Sequence, residues 1–243
     1  MRRFILPLGL VLPLALAALA AAPSPARAHP HAFVECVLTV VFDENGLAGF
    51  RQHWTLDEML SVQVMQMVDT NNDFELSEAE AASVEEKSFS HIANNSYFTH
   101  VLIDGKPFKA EWATDFTAGM DGNKMVYEFF VPCHVAAADT EKEVKVAVFD
   151  ASFYTFVTLV SPQGGGGTDP TKDPQFGTGA GPSPDDYQRF KANVDVDSFQ
   201  GEVPLKGPSE QFDMEAWVDM LPSLAYFHDQ ITPDGYVVRF KKK

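Results

Sequence analysis

Cysteine is scarce in this chain: Cys36 and Cys133 are the only two among 243 residues. Their separation excludes a redox C-x-x-C pair, and two isolated thiols are too few for a structural zinc knuckle. They either join as one disulfide, or Cys36 stays a free thiol and serves as a small apolar residue beside Val34, Leu38 and Val40 on the even face of its strand. Positive charge is also in short supply, with 18 Lys and Arg against 34 Asp and Glu and a net charge of −16. Such a surface repels nucleic acid and suits cations. No G-x-S-x-G or H-E-x-x-H signature occurs, and no G-K-[ST] follows the glycines at 164–167 to make a phosphate cradle. Beyond the amino terminus no apolar run is long enough to cross a bilayer.

What is present starts with MRRFILPLGLVLPLALAALAAAPSPARA. Two arginines precede an apolar stretch broken by Pro7 and Pro13, and the segment ends Ala26-Arg27-Ala28. This is the pattern of a secretory leader over residues 1–28 with an A-x-A cleavage site. The mature chain is expected to be exported, soluble and periplasmic, with no membrane-embedded part. Loss of Arg2, Arg3 and Arg27 with the leader makes it more acidic still.

Cleavage after Ala28 makes His29 the first residue, so the new α-amine and the rings of His29 and His31 lie within three positions. An amine with pKa about 7.7 to 8 and imidazoles near 6.5 shed protons close to neutrality and become nitrogen ligands for Ni, Zn, Co or Cu. Pro30 has no amide proton to lose, which excludes a square-planar chelate built on successive amide nitrogens. An amine-plus-imidazole brace with His31 beside it remains. Residues 32–42, AFVECVLTVVF, alternate as a strand, and positions 29 and 31 of an extended chain project to one side about 6.5 Å apart.

The strand meets the turn DENG at 43–46 and returns as LAGFRQHW, a hairpin. The period then changes from 2 to 3.6. Thr55 with Glu58 forms a capping box, and Leu56, Met59, Leu60, Val64, Met67 and Val68 make one apolar face of a helix over 56–68, with the methionines in the core. The helix runs into DTNNDFELSEAE, residues 69–80, which has calcium-loop spacing. Asp69, Asn71 and Asp73 occupy positions one, three and five, Glu75 position seven through its carbonyl, Ser77 position nine and Glu80 position twelve. Position six, normally glycine, is Phe74, and a left-handed non-glycine residue there costs about 1 to 2 kcal/mol. Leu76 should pack inward, and Ser77 with Glu80 should cap an exiting helix over 78–93.

Five further strands follow in YFTHVLID, FKAEWATDF, KMVYEFFVP, EVKVAVFD and FYTFVTLV, separated by DGKP, MDGN and DASF. The expected fold is therefore α+β: a mainly antiparallel sheet or sandwich over 29–162, carrying an EF-hand-like helix-loop-helix insertion at 55–93. His100 and Asp150, each at a strand end, are candidates to complete a metal site assembled by the fold. Residues 163–186, rich in Gly and Pro, read as a flexible loop. The segment 187–243 should dock on the main domain through a helical tail carrying Phe212, Trp217, Leu221, Leu224 and Phe227, kinked at Pro222, and a last strand GYVVRF.

The order of HPHAF, HWTLDEM, DTNNDFELSEAE, YFTHVLIDGKPF and VFDASFYTFV resembles an uncharacterised family of bacterial exported proteins. These are commonly labelled periplasmic components of an ABC-type transport system, often encoded near nickel/cobalt-type permeases. The resemblance spans about residues 29–160 and implies a role in divalent-metal handling, carried here by His29, His31, His100 and Asp150. The leading expectation is a non-enzymatic metal-binding accessory to a membrane permease or ABC-type transporter, with calcium held at Asp69, Asn71, Asp73, Glu75, Ser77 and Glu80. The alternatives are an oxidative enzyme using copper in a histidine brace, and a calcium-stabilised interaction module without a transition metal.

Overall fold

The computed structural model describes residues 30–160, 201–204, 210, 211, 214, 217, 220, 221, 224–227, 231 and 233–242. The leader with His29, the loop 163–186, Phe212 and Pro222 lie outside the described residues.

The opening hairpin forms as its alternation requires. Strands β1 (Ala32–Asp43) and β2 (Gly46–Leu56) pair antiparallel, with Cys36 opposite Trp54 and Val40 opposite Phe50. Even-numbered residues of both strands are buried: Val34, Cys36, Leu38, Val40 and Phe42 meet Phe50, Trp54 and Leu56. The turn is held by Asp43 Oδ1, which accepts from the amides of Asn45 and Gly46. Gly46 takes φ +145°, and a side chain there would run into the backbone of Val135–Ala137, so glycine is required.

Helix α1 (Glu58–Val68) starts two residues later than expected because its cap is Asp57, not Thr55. Asp57 Oδ1 accepts from the Leu60 amide at 2.8 Å. The buried line along α1 is Ser61, Val64, Met65 and Val68, while Met59 and Met67 are 56% and 47% exposed. The expectation that these two methionines are core fails because the inward stripe passes through a polar residue. The Ser61 hydroxyl donates to the Asp57 carbonyl at 2.7 Å and accepts from the Met125 amide at 2.8 Å, satisfying groups that burial would otherwise leave unpaired. A hydropathy pattern scores Ser61 as outward and rotates the face.

Helix α2 (Glu78–Lys87) carries the expected Ser77–Glu80 capping box. It ends short of residue 93, and a 3-10 stretch (Phe89–Phe98) replaces the last turns, kinked where Ser96 and Tyr97 take φ +53°. Phe89 thereby stacks on Phe116 at 4.2 Å and reaches Phe129 at 4.8 Å.

The remaining strands are β3 (Thr99–Ile103), β4 (Lys106–Lys109), β5 (Thr114–Asp121), β6 (Lys124–Ala136), β7 (Lys142–Val148), β8 (Thr155–Leu159), β9 (Gly201–Pro204), β10 (Glu210–Gln211) and β11 (Asp234–Phe240). The fold is α+β and mostly antiparallel, but it is no single meander. One sheet runs β5-β6-β2-β1-β8, with β9 also on β1, and the other runs β10-β11-β7-β3-β4. FKAEWATDF divides between the two sheets, and β8 returns parallel to β1, Ala32 facing Thr155. The sheets share one core, in which Val101, Val144, Val146, Val148 and Val238 face the even residues of β1 and β2 and the odd residues of β6. The opposite face of the second sheet, through Leu102, Ala147 and Phe149, packs on Met214, Trp217, Leu221, Leu224 and Ile231. Of the expected tail helix the described residues contain one short turn, α3 (Leu224–Phe227).

Cys36 and Cys133 are both buried free thiols. They sit on β1 and β6 with β2 between, and Cys36 pairs across from Trp54 whereas Pro132 pairs across from Gly49. Two strand spacings and an offset of several residues exceed the reach of a disulfide, whose Cα atoms lie within about 7 Å. Burial pushes the Cys133 thiol up to about 12 and the Cys36 thiol further, so neither is reactive at neutral pH.

Candidate functional site

The start of β1 is gripped from two sides. From one side Asp57, already capping α1, accepts from the Phe33 amide through Oδ2 at 2.6 Å, and the Asp57 amide donates to the Phe33 carbonyl at 2.9 Å. From the other side the Tyr154 carbonyl accepts from the amides of His31 at 2.8 Å and Ala32 at 3.2 Å. Phe33 and Phe156 pack at 6.3 Å alongside. His31 is exposed, its ring 5.2 Å from that of Tyr154, which is itself 46% exposed.

Asp150 belongs to this grip as a positioning group. Its carboxylate is 3% exposed and accepts from the Ser152 amide at 2.8 Å, the Ser152 hydroxyl at 2.7 Å and the Thr155 amide at 3.0 Å. These bonds fold residues 150–155 into the turn that offers the Tyr154 carbonyl to β1. Oδ1 takes two of these donors and Oδ2 one, so the expected metal ligand is engaged in holding the turn.

His100 is held in the interior through one of its two ring nitrogens. It is fully buried, donates from Nε2 to the Phe149 carbonyl at 2.9 Å, and lies against the rings of Phe149 and Trp217 at 3.9 and 5.1 Å. Burial pushes its pKa down to about 4, opposed by the Phe149 carbonyl, so the ring is neutral at pH 7. Its Nδ1 has no hydrogen-bond partner among the described residues. The structure does not bring His31, His100 and Asp150 together, and no group of three His, Cys, Asp or Glu placed to hold a metal occurs among the described residues.

The acidic loop is closed by its own hydrogen bonds. Asp69 accepts from the amides of Asn72 at 2.6 Å and Phe74 at 3.1 Å, Asn71 from Asp73 at 3.0 Å, and Asp73 from Glu75 at 2.8 Å. Asn72 and Phe74 both take φ +60°, so the left-handed turn forms at position six without glycine, and Phe74 stands 76% exposed. Leu76 packs on the core as expected. Glu80 takes four donors: the Thr70 amide and hydroxyl at 2.7 and 3.0 Å on Oε1, and the Ser77 amide and hydroxyl at 3.1 and 2.7 Å on Oε2. The Ser77 hydroxyl, followed by the Thr70 and Ser77 amides, pulls the Glu80 carboxyl from 4.5 down to about 2.

The unfolded chain therefore takes up this proton near pH 4.5 while the folded one holds Glu80 ionised to about 2. Its stabilisation is whole above pH 4.5 and is lost as the pH falls toward 2. Urea midpoints of the wild-type chain and Glu80→Gln, taken from pH 7 to pH 2, should differ most at neutral pH and converge across that window. A constant difference refutes the role of the carboxylate.

One pair escaped sequence reasoning. His53 Nδ1 donates to Glu128 Oε1 at 3.0 Å on the outer face of the first sheet, both side chains about half exposed. Alternation puts each on that face, but only the β2–β6 register, His53 opposite Glu128, makes them partners.

Two curated relatives resemble the chain. An "Uncharacterized protein" from Haemophilus influenzae is 25% identical over 136 residues, covering 55% of this chain and 64% of that protein. An "Uncharacterized 15.5 kDa protein in trpE 3'region" from Spirochaeta aurantia is 25% identical over 87 residues, covering 36% of this chain and 61% of that protein. The chain thus spans somewhat under two thirds of the length of each. No solved structure matches it. Among the described residues no helix is long and apolar enough to cross a membrane. The family model described as "Protein of unknown function (DUF1007)" matches residues 14–188, and the chain belongs to that family.

Proposed function

We propose that the protein is an exported, periplasmic binding protein that carries a divalent transition ion at its amino terminus and exchanges it with a membrane permease or ABC-type transporter. The observation that carries this reading is the double grip on β1: the His31 backbone is fixed by the Tyr154 carbonyl while its ring stays exposed. A chain beginning at residue 29 sets an amine and a second imidazole two positions from a ring whose backbone is already ordered, which lowers the entropy lost on chelation. The ion is cargo here, so an open, readily exchanged site suits the task. The transporter as partner follows from the resemblance of HPHAF, HWTLDEM and VFDASFYTFV to transport-linked exported proteins.

Calorimetric titration with Ni, Zn, Co and Cu tests it. Protein beginning at His29 should bind at least one of these ions, and both an added residue before His29 and His31→Ala should weaken that binding about tenfold or more. Equal affinity in all three forms, or exported protein that starts elsewhere than residue 29, rejects the reading.

A second reading, a calcium clip at residues 69–80, is favoured by one observation: Asn72 and Phe74 already hold the left-handed turns of a wrapped loop. Calcium must displace the four donors on Glu80 to use it, so binding should be weak. With a dissociation constant of about 10⁻³ M, calcium at about 10 mM should stabilise the fold by roughly 1.4 kcal/mol. A denaturant midpoint unmoved by calcium excludes the clip.

A further inference from the structure

We propose that the cleft between Phe74 and the outermost strand β5 is a docking site for an extended, lysine- or arginine-rich segment of a partner polypeptide. The cleft, of about 430 Å³, is lined by Phe74, Glu75, Leu76, Ala118, Gly119, Met120 and Gly122. Its apolar rim is exposed, Phe74 at 76% and Met120 at 38%. Phe74 is also held at φ +60°, a conformation that costs a residue with a Cβ about 1 to 2 kcal/mol. A large apolar side chain kept outward on a strained backbone serves something other than this chain's own core.

The strand beside it lies at the end of its sheet, with helix α2 packed against it. β5 ends the order β5-β6-β2-β1-β8, and no further strand pairs with it among the described residues. A Cβ added at Gly119 on β5 would meet nothing within 4 Å, and the same holds at Gly122 in the turn that follows, so space is left beside this end of the strand where a neighbour's side chains would go. An extended segment can hydrogen-bond to such an edge and seat its apolar side chains against Phe74 and Met120.

Charge chooses the occupant. Glu75 lines the cleft, Asp73, Glu78 and Asp121 are exposed on the same loop and hairpin, and the nearest cation in that hairpin is Lys124, opposite Asp121. A second copy of a chain with net charge −16 is repelled, as is an anionic lipid surface. A segment alternating basic and apolar residues satisfies both the carboxylates and the apolar rim. The inference is independent of whether the amino-terminal arm carries an ion.

The test uses fluorescence anisotropy of a labelled peptide about ten residues long that alternates Lys and Val, with a Glu-Val counterpart, against the full mature protein. The Lys-Val peptide should bind, the Glu-Val peptide should not, and binding should weaken several-fold when salt rises from about 50 to 300 mM. Gly119→Leu, which fills open space without strain, should weaken binding about tenfold while leaving the melting temperature unchanged. Phe74→Gly should weaken binding similarly while raising the melting temperature, because one substitution both relieves the backbone strain and takes away the apolar ring. The proposal is overturned if the peptide fails to bind at about millimolar concentration, or if both variants bind it as the wild type does. It is equally overturned if sedimentation shows a dimer abolished by Phe74→Gly, or if vesicles of phosphatidylcholine retain the protein through Phe74.

Discussion

Replacing Asp150 by alanine is expected to lower stability by about 3 kcal/mol and to release the start of β1. Three donors, two of them backbone amides, lose one buried acceptor, and each buried amide left unpaired costs roughly 1 to 3 kcal/mol. For a chain of this size that corresponds to a fall in melting temperature of about 6 to 12 °C. The effect on His31 comes second-hand, through the Tyr154 carbonyl that the turn presents. Asp150→Asn separates the two roles: a positioning group should keep most of the ion affinity of the processed protein, because one amide oxygen still accepts. A ligand should lose nearly all of it with the melting temperature unchanged, and that outcome would return Asp150 to the coordination sphere.

Gln52→Leu should be as damaging, for a reason that lies between the sheets. Gln52 is fully buried on β2, accepts from Trp54 Nε1 at 2.9 Å and from the Cys36 thiol at 3.6 Å, and donates to Thr99 Oγ1 at 2.6 Å. Thr99 starts β3 in the other sheet and passes the network on to the Tyr97 carbonyl at 3.0 Å. This is a polar bridge through an otherwise apolar interior. Leucine of similar volume orphans the Trp54 indole N–H and the Cys36 thiol and takes one donor from Thr99 Oγ1, and a loss of about 3 kcal/mol in denaturant unfolding is expected. A loss below about 1 kcal/mol would mean that water or repacking satisfies those groups.

Local signals in the chain were reliable where one residue's neighbours in sequence decide its place. The alternation of β1, the Asp43 turn, the Ser77–Glu80 box and the strand at GYVVRF are of this kind. Long-range register is another matter. That β8 lies parallel beside β1, or that β4 and β5 fall in different sheets, depends on packing between segments far apart in the chain, to which periodicity is blind. The rotation of α1 failed for a related reason, since Ser61 is buried by a partner 64 residues away. The candidate site divides in the same way. His31 and the loop residues stand where a local pattern placed them, whereas His100 and Asp150 were chosen by residue type, and the fold uses both for its own hydrogen bonds.

The position of β11 has a consequence for how the chain is made. It pairs with β7, completing the second sheet beside a strand translated about ninety residues earlier. Until β11 has been synthesised, β7 keeps one side of its backbone bare. A nascent chain of this design must be held back from pairing with its neighbours until that strand is in place.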